Sequence, residues 1–275
     1  MSDALIEKDI LVPMRDGVRL ATNVYRLDDS TPAPVLIART PYNKENALGS
    51  STFDILRAVQ AGYAVVIQDV RGRYASEGEF NPHFQETQDG VDAFAWAAAQ
   101  PWSNGVLGTF GGSYLGSTQW LPAREHPPAL RAMAPSITFS DSYEGCLYQG
   151  GAKVLHDLRW VVADIVPAEI QRRIARGEKP ITGSQTPLDV DGALTELPLA
   201  SHPFIREYAA FYLDWLAHPT ADEYWLPASP RTGYEQICVP ALNIVKAGMK
   251  SPPIIGINCP LFIERIVPCD PLTIL

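Results

Sequence analysis

The sequence predicts an α/β protein, a mostly parallel sheet flanked by helices with a helical cap inserted into it. Short apolar runs rich in β-branched residues, "PVLIART" at 34–40 and "YAVVIQDVRG" at 63–72, have the composition of strands buried on both faces. From residue 34 onward such runs alternate with stretches of helical spacing, the pattern of a parallel sheet wrapped by helices. From about Tyr143 to Ala228 the strand signal stops and amphipathic, aromatic-rich stretches take over, until "VPALNIV" at 239–245 restores a strand. The organisation expected is a core at 1–142, a cap at 143–230, a returning core strand within 231–245 and a tail at 246–275.

Taken in order, "DILVPMRDGVRLATNVYR" is expected to form a β-hairpin, with Asp16-Gly17 as a two-residue turn in which both residues take positive φ. "FDILRAVQAGY" carries helical spacing and meets a stop signal at Gly62. "ETQDGVDAFAWAAAQ" (86–100) begins with acids, which suit a helix N-terminus, and would place Val91, Phe94, Ala95 and Ala98 on one face. "GVLGTFGGS" reads as a strand ending in glycines, "YLGSTQWLPARE" as a helix and "ALRAMAPSI" (129–137) as the next strand.

The net charge of −9 and pI near 5.0 argue against nucleic acid or an anionic membrane as partner. No segment reaches the roughly 18 apolar residues of a membrane span, and the N-terminus lacks the basic start and apolar core of a signal peptide. Four cysteines form no CxxC pair or Cys/His ligand spacing, so free thiols, a cytoplasmic location and no bound metal are expected.

The chemistry concentrates at "GTFGGSYLGSTQW", 108–120. A serine hydroxyl attacks a carbonyl only when it is exposed and a base can take its proton. A tight strand-to-helix turn exposes the oxygen and aims the first helical N–H groups at a developing oxyanion. Crowding in such a turn demands small neighbours, and Ser113 has Gly111, Gly112 and Gly116. Leu115 departs from the usual G-x-S-x-G spacing, but the expected strand and helix on either side are the context a nucleophile requires.

Together with "MRDGVRLATNVYR", "RTPYNK", "VVIQDVRGRYASEGEF" and "QPWSNGVLG", the stretch "GGSYLGSTQW" resembles the cocaine-esterase-like (CocE/NonD) hydrolases, relatives of the Xaa-Pro dipeptidyl-peptidases and the α-amino-acid ester hydrolases. The resemblance runs through roughly residues 5–244. It implies an α/β-hydrolase fold with a helical cap and no cofactor. It also implies Ser113 as nucleophile, the Tyr42 hydroxyl and the Tyr114 backbone N–H as oxyanion donors, and Trp160 as a lining residue of an acyl or aromatic pocket. Without the resemblance, Trp160 is equally a cap-core tryptophan, whereas Tyr42 still follows the C-terminal end of a strand, where α/β sites gather, with a packed loop aromatic as its plainer reading.

Other residues fit plainer roles. Asp69 holds the loop after its strand, His83 is a loop histidine, and Cys146 is a small apolar residue of the cap. In α/β-hydrolases the acid and histidine follow the nucleophile in the chain. Here the only aspartate after Asp222 is Asp270, and none of the five histidines (His83, His126, His156, His202, His218) follows residue 218, so no triad acid or histidine is found. His202 or His218 of the cap would be the substitutes to weigh. The proline-rich tail 246–275, with two of the four cysteines, has the character of a frameshifted or prematurely ended reading frame, the alternative being a divergent terminus.

Two functions are therefore expected in parallel. One is a serine hydrolase of small carboxylic esters, Xaa-Pro dipeptides or amino-acid esters, for which a homo-oligomer is left open. The other is a truncated, catalytically defective relative.

Overall fold

A computed structural model describes residues 3–29, 31–49, 53–181, 189–193, 195 and 197–244. Six strands, β1 (Ala4–Pro13), β2 (Arg19–Leu27), β3 (Ala33–Thr40), β4 (Ala64–Asp69), β5 (Ser103–Gly112) and β6 (Leu130–Ser136), form one sheet in the order β1-β2-β4-β3-β5-β6. β3 to β6 run parallel, while β2 meets β4 and β1 meets β2 antiparallel. Beyond β6 the returning chain adds to the edge. Met133 pairs with Ala241 and Ser136 with Ile244 in parallel, through bonds such as Leu242 N–H to the Met133 carbonyl at 2.8 Å. The expected strand at 239–245 is thus paired over 240–244, and residue 245 lies outside the described residues.

Successive strand residues point to opposite faces, and helices cover both. Val35, Ile37, Val66 and Leu107 pack with Phe94 and Trp120 on one side. Ala38, Val65 and Ile67 pack with Ile55 and Val59 on the other. The latter two belong to α1 (Ile55–Gln60), whose first turn is capped by the Asp54 carboxylate, which accepts the Arg57 N–H at 2.9 Å.

Two local expectations are corrected. Between β1 and β2 only Gly17 takes a positive φ, +87°, and Asp16 does not. The turn enclosed by the Met14–Val18 pair is three residues long, closed by Met14 N–H to the Val18 carbonyl at 2.8 Å and Gly17 N–H to the Met14 carbonyl at 2.9 Å. This longer turn sets the Asp16 carboxylate against the Arg71 guanidinium at 2.7 Å. In α2 (Glu86–Ala98) the buried face holds Gly90, Ala93, Phe94 and Ala97, whereas Ala95 is exposed and Val91 and Ala98 are half-buried. The face is rotated because Glu86 and Asp89 are themselves buried, paired with arginines below.

After β6 the chain builds the cap. It contains a small hairpin, β7 (Tyr148–Gln149) and β8 (Ala152–Lys153), where the sequence signalled no strand; two-residue strands are too short to show a period. A long helix follows. Its first part, Leu155–Trp160, opens into a π turn at Val161–Ile165 and continues as Val166–Ala175. Pro167 lacks the N–H that the Ala163 carbonyl would take, which accounts for the wider turn before it. Leu158, Val162 and Ile165 of this helix pack with Tyr212 and Trp215 in a core separate from that of the sheet. Among the described residues no helix is long and apolar enough to cross a membrane, and no cluster of His, Cys, Asp and Glu is placed to hold a metal.

The loop after β4 is fixed to the sheet by several bonds. Val70 N–H reaches the Thr40 carbonyl at 3.0 Å, Gly72 N–H the Glu77 carbonyl at 2.8 Å, and the Ser76 hydroxyl the Asp69 carbonyl at 2.7 Å. Gly72 sits at φ +70°, and a Cβ there would lie 2.2 Å from the Phe80 backbone nitrogen. Left-handed backbone costs about 1–2 kcal/mol for a side-chain-bearing residue and overpacking typically a further 1–3 kcal/mol. Gly72→Ala should therefore lose about 2–5 kcal/mol in urea unfolding, summing those two costs. At Gly17, with φ +87° but open space around it, alanine should lose only the backbone share.

Candidate active site

At the C-terminal end of β5 the chain turns abruptly into α3 (Tyr114–Ala123). Ser113, between them, takes φ +56° and ψ −122° and is exposed. A non-glycine residue there stores strain and persists only where its surroundings fix it. Its N–H donates to the Ser136 carbonyl at 2.9 Å, and its carbonyl accepts from Gly116 N–H at 2.9 Å and the Thr138 hydroxyl at 2.8 Å.

Each neighbouring glycine has a steric reason. A Cβ on Gly111 would lie 2.6 Å from Leu115 Cβ, on Gly112 2.6 Å from Ser136 Oγ, and on Gly116 2.4 Å from Thr138 Cβ. The turn exists because three side chains are missing from it.

Tyr42 lies just beyond β3, half-buried, facing this turn. Its hydroxyl is close enough to the Ser113 hydroxyl and the Trp160 indole N–H for both to favour its ionised form, though neither closes a hydrogen bond of ordinary geometry. Burial outweighs them and pushes the phenol up to about 12, so at neutral pH it keeps its proton and can donate. The Tyr114 N–H, first in the helix, has no intrahelical acceptor and belongs to the same turn. Trp160 is half-buried, its ring stacked on Tyr114 at 6.1 Å and edge-on to Phe80 at 6.4 Å. The structure therefore brings Ser113, Tyr42, Tyr114 and Trp160 to one place.

Beneath them lies an ionic layer that the sequence reading missed. Arg39, 1% exposed, bonds Glu86 at 2.6 Å and Gln68 at 2.8 Å. Glu86 also accepts the Tyr114 phenol at 2.8 Å, while Arg71 holds Asp89 at 2.6 Å. Burial pushes the Glu86 carboxyl upward, against the pull of Arg39. The available signal is a charge at the end of an apolar run, Arg39 in "LIART", and acids at helical positions, Glu86 and Asp89, that suit a buried ion pair as well as a helix N-terminus.

The remaining candidates lie elsewhere. Asp69 is fully buried and accepts the Lys44 N–H at 2.7 Å; burial lifts its carboxyl to about 7. His218 is paired with Asp222 at 2.9 Å and stacked on Tyr224, His202 is buried ahead of a cap helix, His126 follows α3, and His156 is exposed on the cap helix. The tail 246–275, with Asp270, lies outside the described residues.

His83 is buried under α3, its Nδ1 3.2 Å from the Ser117 hydroxyl and its ring 4.6 Å from that of Tyr114. Burial alone lowers its pKa from 6.5 to about 3. Between those values the unfolded chain binds a proton that the folded one refuses, so stability must fall as pH drops from about 6.5 towards 3. His83 sits at φ +71°, which asparagine tolerates. Urea unfolding at a series of pH values should show a shallower acid slope for His83→Asn than for the parent.

Comparison with known proteins agrees with this fold. The family model of the X-Pro dipeptidyl-peptidases (S15 family) matches residues 16–247. The chain is 40% identical over 245 residues to a cocaine esterase of Rhodococcus, covering 86% of this chain and 43% of that protein. Among solved structures, a CocE/NonD family hydrolase from Staphylococcus aureus superposes with a TM-score of 0.61 at 28% identity, covering 86% of this chain and 40% of that one. An aminopeptidase from a marine-sediment Thaumarchaeota archaeon superposes with a TM-score of 0.63 at 27% identity, covering 89% and 43%. The chain thus spans less than half the length of these relatives. It belongs to the S15 X-Pro dipeptidyl-peptidase family, a family of hydrolases that includes the cocaine-esterase-like enzymes.

Proposed function

We propose that the chain is a serine hydrolase acting on small carboxylic esters through an acyl-enzyme on Ser113, with Xaa-Pro dipeptides and α-amino-acid esters as alternative substrates. The observation that carries this reading is Ser113, exposed at φ +56° on the strand-to-helix turn with the Tyr42 hydroxyl beside it. In the reaction the Ser113 oxygen bonds to the carbonyl carbon and its proton leaves to a base. The carbonyl oxygen takes up negative charge facing the Tyr42 hydroxyl and the Tyr114 N–H. The bond to the leaving alcohol or amine then breaks, that group takes a proton, and water releases the acyl group from Ser113. Trp160, with its ring turned to the same turn, would line the acyl side.

A second reading rests on one sequence fact, the lack of any histidine after residue 218. Under it the 275-residue chain binds acyl compounds and does not turn them over. Serine hydrolases lacking a triad member retain only about 10³–10⁴-fold over water. Turnover of p-nitrophenyl butyrate by the purified chain and by Ser113→Ala separates the two. A large fall in the variant supports the hydrolase; equal rates support the second reading. Parallel assays on an Xaa-Pro p-nitroanilide and an α-amino-acid p-nitrophenyl ester would set the substrate order.

A further inference from the structure

We propose that Arg73 is a positioning residue for the oxyanion tyrosine, joining the loop that carries Tyr42 to the cap helix that carries Trp160. This rests on the reading of Tyr42 and Ser113 above and assigns a role to a residue outside the reacting atoms. Arg73 is 2% exposed. Its Nε donates to the Pro41 carbonyl, the peptide immediately before Tyr42, at 3.1 Å. Its Nη1 donates to the Ile165 carbonyl at 3.2 Å, with Nη2 and the Asp164 carbonyl at the looser 3.5 Å. Those two carbonyls belong to the π turn that begins directly after Trp160. One planar fork therefore fixes the backbone on both sides of the gap across which Tyr42 and Trp160 face each other.

The fork is itself fixed. Arg73 N–H reaches the Val70 carbonyl at 3.1 Å and its carbonyl accepts from Ser76 N–H at 2.9 Å, within the loop that Gly72 allows to press against Phe80. The guanidinium stands 5.1 Å from the Phe80 ring and 5.2 Å from the Tyr74 ring. Among the described residues no carboxylate pairs with it within 4.0 Å, so its partners are carbonyls and aromatic faces. With no carboxylate in direct contact among the described residues, and Glu169 acting only through space, the buried guanidinium carries a desolvation cost that an apolar side chain of the same length would avoid. Its charge and its fork are what an apolar residue could not supply. The charge also acts on the Tyr42 hydroxyl, favouring its ionised form and so strengthening it as a donor to negative charge.

Binding of phenylboronic acid tests this without a catalytic base. The Ser113 oxygen bonds to trigonal boron, the hydroxyl proton leaves to water, and the tetrahedral boronate anion occupies the oxyanion position; nothing is oxidised. Calorimetric affinity should fall about tenfold or more in Arg73→Met, within the limit of about 10²–10³ for outright loss of one donor. Arg73→Lys, with charge but no fork, should fall between that variant and the parent. In a Tyr42→Phe background Arg73→Met should cost nothing further, because the hydroxyl it positions is gone. A general packing role would instead lower the melting temperature equally in both backgrounds. Unchanged affinity in Arg73→Met, or the same loss with and without the Tyr42 hydroxyl, overturns the proposal. Equal affinities of the parent and Ser113→Ala overturn the Ser113 reading and this proposal with it. Should Arg73→Met fail to fold by circular dichroism, Arg73→Lys and Arg73→Gln in the same two backgrounds decide the matter.

Discussion

Arg39→Met is expected to destabilise the protein by about 3–5 kcal/mol, the usual cost of removing one partner from a buried ion pair. Glu86 would be left 2% exposed with its carboxylate held by the Tyr114 phenol and repelled by Asp89, and Gln68 would lose its guanidinium partner. The cost lies in the orphaned charge and not in the lost volume, since methionine packs much as arginine's stem does. Arg39→Met/Glu86→Leu should accordingly recover much of the loss, because matched apolar replacements of buried pairs are often neutral. Chemical denaturation of the two single variants and the double variant closes the cycle. If the double variant is as unstable as the sum of the singles, the pair is not the unit proposed. Because Tyr114 leans on the same carboxylate, Glu86→Leu should also loosen the turn at Ser113.

Tyr42→Phe is expected to lower the rate of Ser113 acylation by roughly 10²–10³-fold, the common effect of deleting one oxyanion donor. Stability should change little. Among the described residues the hydroxyl closes no hydrogen bond of ordinary geometry, whereas under the proposed mechanism it would meet a developing charge in the transition state. The signature is therefore a fall in kcat with KM nearly constant. With the phenol held up to about 12, the effect should also be flat in pH across the neutral range. A variant as fast as the parent, in a protein where Ser113 is essential, would return Tyr42 to the role of a packed loop aromatic.

Periodicity and β-branched composition reveal the parallel strands because those are two-sided apolar elements, and the glycine pattern around Ser113 is legible because sterics there act between near neighbours. The errors have a common cause. Asp16 and α2 were misread because their geometry answers to arginines distant in the chain, Arg71 and Arg39, which hydropathy treats as surface. The cap was visible only as a loss of strand signal with amphipathic, aromatic-rich stretches, since its long helix is broken by a π turn, its hairpin spans two-residue strands, and its aromatic core has no simple period. Trp160 could be placed beside Ser113 only through a family resemblance, whereas Tyr42 is also marked by its position just past the C-terminal end of β3, where α/β sites gather; nothing local in "HDLRW" points at position 113.

The pairing of 240–244 onto β6 has a kinetic meaning. Residues 137–240 must close as one excursion before the edge ladder can form, and closing so long a loop is an entropic penalty that grows only logarithmically with its length. A pre-folded cap shortens the effective excursion by holding its two stems together through Ser142 N–H on the Ser229 hydroxyl at 3.1 Å and the Ser142 hydroxyl on the Ala228 carbonyl at 2.6 Å. In the folded chain the insertion's two stems are thus clasped beside the sheet edge, which shortens the loop that the pairing of 240–244 has to close.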